Sequence, residues 1–166
     1  MTLTGGELVG ILGANGSGKT TLGKQIFRAL ENHPEKPVCT MMMQRSDHQL
    51  YESSVLREIL LGTSEDEDVK AKAMAYLKLM DLDSFIDQPA QFLSGGQKRS
   101  LVILCMLMQN PDVLILDEPF SSLDAHHAQR IADLIRTYYQ EHKPTIVICD
   151  QTHAAFPKIC NHCIHL

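Results

Sequence analysis

The chain has 166 residues, 44% of them hydrophobic and 21% charged, which fits one soluble globular domain and excludes a disordered, collagen-like or rod-like chain. Its formal net charge of −5, with no run of more than two basic residues, gives no electrostatic support for general nucleic-acid binding. The longest apolar run, Leu101 to Met108, falls far short of the ~20 residues of a membrane span. The N-terminus lacks the basic and apolar regions of a signal peptide. Five cysteines, an odd number, point to reduced thiols in the cytosol rather than a disulfide framework.

In chain order, Glu7 to Leu12 reads as a strand running into a glycine-rich turn from Gly13 to Gly18. Lys19 to Glu31 reads as a helix stopped by Asn32 and Pro34. Val38 to Met43 is a short buried strand, its three methionines core filler rather than ligands. From Ser53 to Phe92 the pattern turns helical. Ser64 and Glu67 suggest a capping box, and Val69, Ala73, Leu77 and Met80 share one face. A further helix is expected from Ser94-Gly95-Gly96 to Gln109, ended by Asn110 and Pro111. Val113 to Leu116 reads as an apolar strand. Ala125 to Glu141 reads as a helix with Ile131, Leu134, Ile135 and Tyr138 inward. Thr145 to Cys149 and Cys163 to Leu166 complete the strands. Short apolar strands alternating with helices predict an α/β fold with a mostly parallel sheet and a helical insertion. The expected single domain divides into a nucleotide-binding core, about 1–50 and 100–166, and a helical subdomain, about 52–99.

Gly13 to Thr20 fits the phosphate-loop pattern G-x-x-x-x-G-K-[ST], in its strand–loop–helix context. The glycines Gly13, Gly16 and Gly18 let backbone N–H groups curl around an anion, with Asn15 and Ser17 between them. Lys19 is placed to reach the β- and γ-phosphates of a bound nucleotide. Thr20 is placed to meet Mg²⁺, with Thr21 beside it. Alone, this motif does not separate a small-molecule kinase from a GTPase or a transporter motor.

Leu93-Ser94-Gly95-Gly96-Gln97 is more selective, because Ser94 and its glycines offer a second anion site at a helix start. By itself the same tripeptide is equally a serine N-cap with a flexible glycine pair. Leu114 to Pro119 is a buried strand ending in two acids. Asp117 suits the Mg²⁺ shell and Glu118 suits a general base toward water. Ser122-Leu123-Asp124 follows, and Gln44 lies directly after the second strand.

In this order the motifs resemble those of ATP-binding cassette (ABC) ATPases over essentially the whole chain. The resemblance implies a P-loop NTPase fold, ATP and Mg²⁺ as cofactors, and a Mg-dependent ATPase driving a membrane transporter. It implies that Gln44 touches the metal and relays the position of a transmembrane partner. It also implies that Ser94, Gly95, Gly96 and Gln97 complete the γ-phosphate site of a second ABC ATPase subunit, identical or different. The dimer would sit at the cytoplasmic side of the membrane, peripherally and without nucleic acid. The segment Gln44 to Tyr51, then Ser54-Val55 and Glu58 to Gly62, resembles the energy-coupling-factor type, which commonly reads Q-N-P-D-D-Q-L-F; here Arg45 and Ser46 replace Asn-Pro. That likeness implies an importer of vitamins or metal ions.

Three departures accompany the match. No aromatic residue precedes Gly13 to stack on adenine, an interaction worth about 1 kcal/mol, so weaker nucleotide affinity is expected and the N-terminal antiparallel strands read as reduced. The interval from Lys19 to Gln44 is short, and the chain closes at Leu166, as in a minimal cassette. Gln151 aligns with the switch histidine, while His153 stands two residues later; either is open as the switch residue. Glutamine hydrogen-bonds but does not take a proton as imidazole does. Rival readings are a degenerate regulatory or structural subunit with little turnover, and a cytosolic cassette ATPase outside transport. Cys160, His162, Cys163 and His165 invite zinc, but alternation along a strand splits them between two faces.

Overall fold

The computed structural model describes residues 5–43, 50–64, 66–151 and 160–166. Two compact units divide the chain, one of residues 1–44 and 111–166 and one of residues 45–110.

The first unit is built on a five-stranded sheet of β1 (Leu8–Leu12), β2 (Cys39–Met42), β3 (Val113–Asp117), β4 (Thr145–Asp150) and β5 (His162–His165). The order is β2-β3-β4-β1-β5, and every pairing is parallel. β1, β3 and β4 are buried along their whole length, which explains why they read as continuous apolar runs. Residues on one face, Ile11, Ile115, Val147 and Cys149 among them, pack against Leu22, Ile26, Phe27 and Leu30 of α1 (Lys19–Glu31). Gly23 faces the sheet, where a Cβ would lie at ordinary contact distance, 3.4 Å from Met41 Cε and 3.5 Å from Ile115 Cγ2. The expected inward stripe of α5 (Ala125–His142), with Ile131, Leu134, Ile135 and Tyr138, is buried. Because the strands are parallel, the loops after β1, β3 and β4 all leave the same edge. Ligands of open α/β sheets sit at that carboxyl edge.

The second unit contains α2 (Val55–Leu60), α3 (Glu67–Leu79) and α4 (Gly95–Met108), with single 3-10 turns at Asp83–Phe85 and Ala90–Phe92. α4 lies with the helical unit, so the division falls at 110/111 rather than near 100. Packing explains this: Leu101, Ile103, Leu104 and Leu107 are fully buried on a helix that meets both α2 and α3. The capping box expected of Ser64 and Glu67 does not form. The Ser64 hydroxyl donates to Asp66 Oδ2 at 2.7 Å instead, and Asp66 becomes the N-cap residue of α3. Ser54 caps α2 by accepting the Arg57 N–H. The buried Glu58 carboxylate accepts the Tyr51 and Glu52 N–H groups at 2.8 and 2.6 Å.

Candidate functional site

β1 ends at Leu12 and delivers the chain into the loop before α1. Gly16 and Gly18 hold φ of 82° and 100°, left-handed values that favour glycine. A Cβ at either would meet nothing within 4 Å, so the loop opens outward there. At Gly13 the constraint is steric, since a Cβ would collide with Ser17 Oγ and lie 3.0 Å from the Leu166 carbonyl. The loop, the first turn of α1 and Glu118 line a cavity of about 320 Å³, bounded by Asn15, Gly16, Gly18, Lys19, Thr20, Thr21 and Glu118.

Lys19 is 4% exposed, and its ammonium donates to the Gly13 and Ala14 carbonyls at 2.8 and 2.9 Å. The cation is thus folded onto its own loop, at the start of a helix with no acidic residue in its first turn and no side-chain cap. Such a helix start favours an anion.

Thr20 Oγ1 donates to Asp117 Oδ2 at 2.8 Å. Asp117 is 1% exposed, and its other oxygen, Oδ1, is buried without a hydrogen-bond partner. Burial pushes its carboxyl above the ordinary range; the Thr20 hydroxyl opposes this, and the Glu118 charge adds to it. A buried carboxylate with one unsatisfied oxygen beside a hydroxyl is a hard-oxygen donor pair, the set Mg²⁺ takes. The residues fit that ion.

Glu118 follows in a left-handed conformation, φ 53°, with its N–H bonded to the Cys149 carbonyl at 2.7 Å. Ser122 is also left-handed, φ 61°. Non-glycine residues in this region are strained, and such strain clusters at functional sites. Asp124 closes the turn by capping α5, accepting the His127 N–H at 2.9 Å. That backbone bond, with the His127 ring, holds its carboxyl below the usual range.

After β4, Gln151 reaches the phosphate loop: its side-chain amide donates to Asn15 Oδ1 at 2.6 Å. The structure therefore brings together Gly13, Asn15, Gly16, Ser17, Gly18, Lys19, Thr20, Thr21, Asp117, Glu118 and Gln151 in one unit. Gln44 and His153 lie outside the described residues. Ser94, Gly95, Gly96 and Gln97 belong to the other unit, where Ser94 and Gln97 form a full capping box at the start of α4. Asp150 carries no motif signal in the sequence, where it reads as the end of an apolar strand. The zinc reading gains nothing, since the described residues contain no group of three or more such ligands arranged for a metal.

A parallel sheet whose first strand opens into a glycine loop over Lys19 and Thr20, facing Asp117, is the phosphate site of a P-loop nucleotide-binding protein. A family model described as ABC transporter matches residues 1–121. The chain belongs to that family and carries its ATP-binding domain. It is 32% identical over 169 residues to a protein named as an ABC transporter ATP-binding protein in Clostridium acetobutylicum, covering 89% of this chain and 61% of that one. It is 28% identical to the energy-coupling factor transporter ATP-binding protein EcfA2 of Acetivibrio thermocellus, covering 89% and 60%. The solved structure of cbiO1 from Clostridium perfringens, part of the ABC transporter complex cbiONQ, superposes with a TM-score of 0.79 at 28% identity. That match covers 99% of this chain and 75% of cbiO1. The chain thus spans about three fifths of the length of these two relatives. No helix among the described residues is long and apolar enough to cross a membrane.

Proposed function

We propose that this chain binds ATP with Mg²⁺ and hydrolyses it as a motor subunit of an ABC-type membrane transporter, of the energy-coupling-factor kind and hence an importer. The observation that carries this reading is the Thr20–Asp117 pair, with its unpartnered buried oxygen, directly before Glu118. Bound ATP and Mg²⁺ would supply the phosphoanhydride bond to be broken and the charge that neutralises its oxygens. The backbone N–H groups from Gly13 to Gly18 hold the phosphates, and Lys19 turns from its loop carbonyls toward them. Thr20 and Asp117 hold the metal, with Gln44 as a further ligand. Glu118 accepts a proton from the attacking water. The transporter partner is supported by the names of EcfA2 and cbiO1, and the importer direction by the resemblance of the Gln44 to Gly62 segment to the energy-coupling-factor type.

Pairing of two subunits is supported by Gly95. Its Cβ position is open, with nothing within 4 Å, and it carries no left-handed φ, so nothing around it demands glycine. Gly95 is the first residue of α4, and glycine at a position whose backbone alanine could adopt costs about 0.4–1 kcal/mol through the entropy of the unfolded chain. Close approach by a phosphate held on a second subunit explains that cost, with Ser94, Gly96 and Gln97 beside it. Gln151 favours a second reading, slow turnover, because its side chain is engaged with Asn15 and does not take a proton as histidine does.

The test is thermal unfolding with and without Mg–ATP. At a hundredfold excess over Kd, binding stabilises by about 2.7 kcal/mol, or roughly 5–10 °C for a domain of this size. The shift is expected in the native chain and lost in Lys19→Ala. An equal shift in both would place the nucleotide elsewhere.

A further inference from the structure

Three carboxylates stand at the carboxyl edge of the sheet, and the proposed reaction uses only Asp117 and Glu118. The third, Asp150, ends β4 opposite Leu12 and is 4% exposed. Its oxygens serve two different loops. Oδ1 accepts the Gln151 N–H at 2.7 Å, and Oδ2 accepts the Phe120 N–H at 3.4 Å. Gln151 in turn donates through its side chain to Asn15 Oδ1 at 2.6 Å. A continuous series of hydrogen bonds therefore joins the loop after β3 to the phosphate loop.

A buried carboxylate is costly unless donors meet it. What it offers here over an apolar or hydroxyl side chain is two acceptor oxygens on one rigid group. Phe120 is two residues beyond Glu118, inside the turn where Glu118 and Ser122 are both left-handed. Such conformations persist only where the surroundings over-determine them. The Phe120–Asp150 bond is one such constraint, and the Glu118 N–H to Cys149 carbonyl bond is another.

We propose that Asp150 and Gln151 are positioning residues that brace the Glu118 turn against the phosphate loop. Asp150 fixes the turn through the Phe120 amide. Gln151 carries the restraint to Asn15, so that the loop bearing the base and the loop receiving the phosphates keep one register. The effect on turnover rests on the hydrolysis reading above; the brace itself does not.

Hydrogen–deuterium exchange of the nucleotide-free chain tests the brace directly. Losing one net hydrogen bond to a carboxylate speeds exchange about tenfold. Asp150→Ala is expected to do so for peptides within 118–124 while leaving α5 peptides unchanged. Asp150→Asn, which keeps an acceptor oxygen, is expected to give a smaller rise in the same peptides, and it carries the test should the alanine variant not fold. Gln151→Ala is expected to loosen 13–18 and spare 118–124. In steady-state hydrolysis, Asp150→Ala should lower kcat about tenfold with an unchanged KM for ATP, whereas Gln151→Ala should mainly raise KM. Unchanged exchange at 118–124 in both Asp150 variants would overturn the proposal, as would a rise that includes α5 equally. The expected exchange pattern in a chain that turns over no ATP would uphold the brace and overturn the hydrolysis reading instead.

Discussion

The Thr20 hydroxyl and the Asp117 carboxylate, 97 positions apart in sequence, meet at 2.8 Å where α1 begins and β3 ends. The bond satisfies one carboxylate oxygen and leaves the other, Oδ1, buried without a hydrogen-bond partner. A buried carboxylate oxygen without a partner carries a desolvation cost, which a bound cation would relieve.

That cost is measurable. Burial raises the Asp117 carboxyl above its unfolded value, so the folded chain takes up a proton more readily than the unfolded one. The penalty is fully present above the raised folded pKa. It fades as pH falls from there toward the ordinary carboxylate range. Asp117→Asn, without Mg²⁺ and nucleotide, should therefore raise Tm by about 2–4 °C near neutral pH, with the gain shrinking in acid. The same variant should lose about a hundredfold or more in Mg-dependent hydrolysis. A lower Tm at neutral pH would show that the charge is compensated.

Gly13 and Gly95 should respond in opposite ways to alanine. At Gly13 the added methyl meets Ser17 and the Leu166 carbonyl, and overpacking of this kind costs about 1–3 kcal/mol. Gly13→Ala should unfold at lower temperature. At Gly95, the first residue of α4, the space is open and the backbone suits alanine, so alanine should stabilise by roughly 0.4–1 kcal/mol. On the proposed pairing, Gly95→Ala should nonetheless reduce hydrolysis, since the methyl would intrude where a partner's nucleotide would approach. Chemical denaturation and turnover of both variants check this contrast.

The thiols should alkylate in a definite order. Burial raises Cys149 and Cys160 to about 12 and Cys39 to about 11, and drives Cys105 higher still. Cys163 is exposed. With thiolate as the reactive form, folded protein near pH 8 should label first at Cys163. Peptide mass spectrometry after timed iodoacetamide treatment reads the order. Early labelling of Cys149, which packs beneath α1 against the Lys19 carbonyl, would show that the phosphate loop opens.

Much of this was legible in the sequence where local signals and packing agree. α1 runs Lys19–Glu31 as expected, because the glycine loop starts it and Asn32 ends it, bonding the Arg28 carbonyl through both its backbone and side-chain nitrogen. The buried strands were readable because parallel pairing removes any need for polar alternation. Local signals failed where several polar residues competed, as at Ser64 and Asp66. They failed again where α4 took its allegiance from distant partners rather than from its own pattern. Asp150 could not be read at all. Phe120 comes to it from the loop after β3, and Asn15 comes to the adjacent Gln151 from the loop after β1, which only the register of β4 between β3 and β1 establishes.

On the proposed function, Glu118 activates the water that hydrolyses ATP in a site completed by a second subunit. Steady-state hydrolysis by the purified chain with Mg²⁺, over a wide range of protein concentration, tests it most directly beside Glu118→Gln. The predicted result is a rate that climbs faster than protein concentration and disappears in Glu118→Gln while ATP binding persists. A rate strictly proportional to concentration from a chain that remains monomeric over that range, or one that survives Glu118→Gln, would contradict it.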